Sequence, residues 1–69
     1  MIRYQLFALD RSGRVDRGFE HRCNNDDEAI RYAGSILDGS IAEIEVMRER
    51  RIIAHVRHQD GQVTVIPAM

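Results

Sequence analysis

The chain has no tryptophan, no lysine, one proline and one cysteine. A single cysteine, Cys23, excludes an internal disulfide and fits a reducing compartment. No apolar run comes near the length of a membrane-spanning helix. The opening Met1-Ile2-Arg3-Tyr4-Gln5 has no long apolar segment, so it does not read as a secretion signal. The expected location is the cytoplasm of a bacterium. Charge of one sign is also lacking: ten basic and eleven acidic residues leave a net charge of −1. There is thus no global field to draw in nucleic acid or an anionic membrane. All ten basic residues are arginine. Internal repeats and low-complexity segments are absent.

What is present is short. Sixty-nine residues make one domain, residues 1–69, with no room for a linker. A core of that size supplies only roughly 3–5 kcal/mol, so such chains often gain stability from a staple or from a second copy of themselves.

The segment 25–39 reads as a complete helix. Asn25 can cap the first turn, with Glu28 three residues on as in a capping box. Asp26, Asp27 and Glu28 place negative charge at the positive end of the helix dipole. Ala29, Ile30, Ala33, Ile36 and Leu37 fall on one stripe, with Tyr32 at its shoulder. Glu28, Arg31, Ser35 and Asp38 fall on the wet side. Gly39 suits a left-handed C-terminal cap. Gly34 costs roughly 1 kcal/mol inside a helix, which implies that something packs closely against it.

Both flanks alternate as strands do. Ile2, Tyr4, Leu6 and Ala8 form one face of a first strand. Residues 10–14 carry turn chemistry. Val15 to Cys23 alternates next, with Val15, Phe19, His21 and Cys23 on one face. Gly18 marks a bulge or an edge. After the helix, Ala42, Ile44 and Val46 oppose Glu43, Glu45 and Met47. Glu49-Arg50 is the next turn, although neither residue favours left-handed angles. Ile52, Ala54 and Val56 then oppose Ile53, His55 and Arg57. Asp60-Gly61 is the strongest hairpin signal, and Gln62 to Ile66 forms a last short strand before Pro67. The expected class is α+β: a small antiparallel sheet with one helix on one face, in the order ββαββ(β).

One helix covers one face. The helix-side set is Tyr4, Leu6, Phe19, Cys23, Ala42, Ile44, Val46, Ala54 and Val56. Phe7, Leu9, Met47 and Ile53 then lie on the opposite face among arginines and glutamates. That is more apolar than a wet face needs, and a contiguous patch marks an interaction surface. A homodimer is expected, through this face or by strand addition at an open edge.

No catalytic or metal-binding signature stands out, and neither a catalytic residue, a metal nor a cofactor is expected. His21 and Cys23 share a strand face, and His55 and His58 could be added to imagine a zinc site. Zinc sites use closely spaced ligand pairs in turns, and a half-buried cysteine acts more often as a small hydrophobe. Ser12, Ser35 and Ser40 lack a nucleophile-elbow setting. The acidic run at 26–28 is accounted for by capping, and Glu43 with Glu45 by cross-strand arginines. Arg48, Arg50, Arg51 and Arg57 concentrate on one hairpin, which could grip a nucleic-acid backbone. No interleaved aromatic residue supports that reading. The leading expectation is a non-catalytic, self-associating interaction or adaptor module, with an unknown protein partner and no membrane. The alternative is nucleic-acid or regulatory binding through the arginine hairpin 48–57.

Arg3-Tyr4-Gln5-Leu6-Phe7, the helix start Asp26-Asp27-Glu28-Ala29-Ile30, and Ile44-Glu45-Val46 leading to Ile53-Ala54 resemble short uncharacterised alphaproteobacterial proteins. The resemblance covers roughly residues 2 to 57. Those relatives carry a tryptophan and a glycine near the second hairpin, where this chain has Met47 and Glu49-Arg50. The resemblance implies a strand-strand-helix-strand-strand fold and a bacterial source, with no activity attached.

Overall fold

The computed structural model describes residues 1–37 and 39–68. Its elements are β1 (Ile2–Leu9), β2 (Val15–Cys23), α1 (Asp26–Ile36), β3 (Glu43–Arg48), β4 (Arg51–Gln59) and β5 (Gln62–Pro67). The five strands form one sheet in the order β2-β1-β3-β4-β5. Every neighbouring pair is antiparallel. The fold is therefore α+β, as the alternation on either side of one amphipathic helix predicts. β2 and β5 are its edges.

The core lies between α1 and one sheet face. Tyr4, Leu6 and Ala8 of β1, Ile44 and Val46 of β3, Ala54 and Val56 of β4 and Ala33 of the helix are fully buried. Cys23 and Ala29 are almost so. Phe19, Ile30, Tyr32, Ile36 and Leu37 pack around them half-buried. Small helix residues at 29 and 33 let the helix lie close on the sheet.

Asn25 caps the helix as its side chain predicts: its Oδ1 accepts from the Glu28 N–H at 2.9 Å. The reciprocal half of a capping box is replaced. Glu28 Oε2 accepts instead from the Asn24 side-chain amide at 3.1 Å. The helix stops at Leu37, whose backbone is already extended (φ −64, ψ 135). The left-handed cap expected at Gly39 is thus not what ends it, because the chain leaves the helix two residues earlier. Asp38, expected on the wet side, lies outside the described residues.

Gly34 has the close neighbour its cost implies. A Cβ there would lie 3.3 Å from Val63 Cγ1 of β5. The last strand, at the sheet edge, comes under the helix at this point.

Two bulges set the phase of the sheet. In the first hairpin, Ala8 pairs with Arg17 and Leu9 with Val15, leaving Asp16 as the extra residue. Paired residues share a face. Val15 is therefore carried away from Phe19, His21 and Cys23, with which simple alternation groups it, and is 58% exposed. In the second, Val46 pairs with Ala54 and Met47 with Ile52, leaving Ile53 as the extra residue. The turn beyond is Glu49-Arg50, both left-handed (φ 50 and 66). Left-handed angles at non-glycine residues cost roughly 1–2 kcal/mol each.

Candidate functional site

The face away from the helix is the first surface to consider. Cross-strand registers assemble it from Phe7 and Leu9 of β1, Glu43, Glu45 and Met47 of β3, Ile52, His55 and Arg57 of β4, and Thr64 and Ile66 of β5. Phe7 and Met47 are half-buried, and Leu9 is 9% exposed without belonging to the helix-side cluster. These three lie where alternation puts them. Ile53 does not. The bulge removes it from the open face and packs it against the core. Ile52 replaces it beside Met47 and is 38% exposed.

The centre of this face is charged. One ladder row reads Phe7, Glu45, His55, Ile66. His55 Nδ1 lies 3.3 Å from Glu43 Oε2 and 3.9 Å from Glu45 Oε2. Arg57 Nε lies 3.9 Å from Glu43 Oε1. The apolar residues form flanks around that network rather than one continuous sheet of hydrocarbon. At the edge, the Phe7 ring lies across Gly18, whose Cβ would meet two ring carbons at 3.0 Å. Glycine at that edge position lets the ring lie flat on the strand.

The arginine hairpin is partly engaged. Arg48 Nη1 donates to Asp26 Oδ1 at 3.0 Å, and the Tyr4 hydroxyl donates to the same oxygen at 2.7 Å. Arg57 faces Glu43. Arg50 and Arg51 remain exposed at the tip, beside exposed Glu49. The four arginines are therefore split: two support the fold and two point to water.

The nucleophile and metal candidates are similarly taken up. The Cys23 thiol is 1% exposed, and burial, followed by the charge of Glu28, pushes its pKa up. A raised thiol is a poor nucleophile. His21 stacks on Tyr32, with ring centroids 3.6 Å apart and 5° between planes, which binds β2 to the helix. Ser35 Oγ donates to the Tyr32 carbonyl at 2.6 Å. Ser12 Oγ donates to Asp10 Oδ1 at 2.6 Å inside the first turn. Of the acidic run, Asp26 holds Tyr4 and Arg48, and Glu28 holds Asn24. Among the described residues no group of three or more His, Cys, Asp or Glu is arranged to hold a metal ion. No helix among them is long and apolar enough to cross a membrane. One cleft, about 360 Å³, lies between β2 and the helix and is lined by Arg17, Phe19, Tyr32, Ile36 and Ile41. It brings no set of polar groups to one point.

The second surface is the β5 edge. Val63 and Val65 are 48% and 40% exposed. They pair with His58 and Val56, so they lie on the helix side, where the helix does not fully cover them. Alternation in Gln62–Ile66 gives the strand but not this exposure, because exposure depends on β5 being an edge. The signal available in sequence was the charge-free run from 62 to 68.

No family model, curated protein or solved structure matches the chain.

Proposed function

We propose that this protein is a small non-catalytic interaction module of the bacterial cytoplasm that associates with a second copy of itself. The observation that carries this reading is apolar surface that one helix cannot cover. Ile52, Val63 and Val65 are each more than a third exposed, and all three belong to the β4–β5 half of the sheet. A core this small gains stability from such association. The chemistry-bearing side chains favour a structural reading: the thiol is buried, His21 is stacked, Ser12 bonds the Asp10 carboxylate in the first turn and Ser35 bonds the helix backbone.

Light scattering over a wide concentration range tests the proposal. Self-association predicts a molar mass rising from 8.0 kDa towards twice that value. A mass that stays at one chain up to millimolar concentration rejects it.

A further inference from the structure

We infer that the second copy docks on β5, strand against strand, about a two-fold axis through Thr64. This rests on the self-association proposed above and names its surface. The two edges of the sheet differ. β2 carries Asp16, Arg17, Glu20 and Arg22 and is kinked by its bulge. Charges and bulges protect an edge from pairing. β5, reading Gln-Val-Thr-Val-Ile-Pro, has no charge and no bulge.

The direction of its backbone groups follows from its hairpin. Asp60 and Gly61 form a two-residue turn with both φ positive (54 and 78). Such a turn closes on a hydrogen-bonded pair, here Gln59 and Gln62. Hydrogen-bonded and non-hydrogen-bonded pairs then alternate along an antiparallel ladder. Thr64 and Ile66 therefore bond inward to β4, while the N–H and C=O groups of Val63 and Val65 point outward. The Ala68 N–H to Ile53 carbonyl bond, 3.1 Å, fits the same alternation. Pro67 falls on an outward position, where its missing N–H costs no internal bond.

One register pairs all the outward groups of both Val63 and Val65, and sets only Pro67 against Gly61 of the turn. With the two-fold at Thr64, Val63 of one copy faces Val65 of the other, and each pair exchanges both its hydrogen bonds. Thr64 then meets its own copy as a close, non-hydrogen-bonded pair on the open face, a favourable Thr–Thr contact. A two-fold at Val65 would set Val63 against Pro67 and lose its donor. A two-fold at Val63 would set Val65 against Gly61 in the turn. In the Thr64 register the exposed Val63 and Val65 side chains cover one another on the helix side, and the sheet continues unbroken with both helices on one face. Charge does not oppose it. The two Arg57 side chains stand three strand spacings apart, about 14 Å, beyond the screening length in physiological salt. Packing the open faces together would instead bury Glu43, Glu45 and His55. A standard interface takes about 800 Å² from each partner, and a single strand edge gives less, so the dimer is of the weak, transient kind.

Four variants test this, two by light scattering and two by cross-linking. Val65→Pro removes only an outward N–H and should stay folded by circular dichroism but remain at the mass of one chain. Met47→Glu, on the open face, should leave the dimer intact. Thr64→Cys, which needs no disruptive change, should form an intermolecular disulfide under mild oxidation, whereas Gln62→Cys should not. Loss of the dimer in Met47→Glu with retention in Val65→Pro overturns the β5 docking but leaves self-association standing. Absence of any dimer in the wild type overturns both. Failure of Thr64→Cys to cross-link overturns the register even where Val65→Pro is unfolded.

Discussion

The Tyr4 hydroxyl donates to Asp26 Oδ1 at 2.7 Å, joining the buried centre of β1 to the first residue of the helix. Arg48 donates to the same oxygen from the end of β3. One carboxylate thus ties three elements together at the end of the sheet where the helix begins. Tyr4 is fully buried, so its hydroxyl needs this acceptor.

Tyr4→Phe should cost about 1.5 kcal/mol, the low end of the net worth of a hydrogen bond to a charged group, because Asp26 keeps Arg48 as another donor. Asp26→Ala should cost more, about 2–3 kcal/mol, because it strands both the buried hydroxyl and Arg48. Urea denaturation of the two variants gives the order. The reverse order would mean that Asp26 acts only as a helix-end charge.

The same contact predicts an alkaline transition. Burial, and after it the hydrogen bond to Asp26, push the Tyr4 pKa up to about 12 from 10.0. The folded state then holds its proton through a range where the unfolded chain has lost it. Stability from this group is complete below pH 10 and is lost as pH rises towards about 12. Thermal unfolding across that range should show a steep fall in Tm. Tyr4→Phe should flatten the fall.

In the first turn, Asp10 Oδ1 accepts from the Ser12 hydroxyl at 2.6 Å, the Ser12 N–H at 2.9 Å and the Arg14 N–H at 3.1 Å. The Ser12 hydroxyl is the largest cause holding the carboxyl below its usual 3.8. Its contribution is present above the unfolded value and is lost as pH falls through the lower folded value. Amide exchange at Ser12 and Arg14 should accelerate below pH 3.8 before the rest of the sheet opens. Asp10→Asn should remove that pH dependence.

Glu49 and Arg50 hold left-handed angles that suit asparagine and glycine. The double change Glu49→Asn with Arg50→Gly should stabilise the protein by about 1–2 kcal/mol. Denaturant midpoints measure this. No gain would mean that the side chains at the tip offset the strain.

Helix, strands and order of elements were legible because period and capping agree along the chain. Gly34 also signalled correctly: its helix cost made sense only with a close neighbour, and Val63 is that neighbour. The departures from the expected faces have one cause. Bulges at Asp16 and Ile53 insert a residue without changing the alternation of residue types, so simple alternation sets Val15, Ile52 and Ile53 on the wrong faces. Strand order was not legible either. Antiparallel β1 against β3 is set by packing under the helix, not by any local turn. The exposed valines of β5 became significant only once that strand was known to be an edge. The engagement of Arg48 is not legible among the hairpin arginines, because its partner, Asp26, lies 22 residues away.

The most direct measurement is amide hydrogen exchange of Val63 and Val65 as a function of protein concentration. Thr64 and Ile66, bonded inward to β4, serve as internal controls and should be protected throughout. The account predicts that Val63 and Val65 exchange freely in dilute solution and become protected as the concentration rises. Free exchange of both amides at every concentration, with Thr64 and Ile66 still protected, would contradict it.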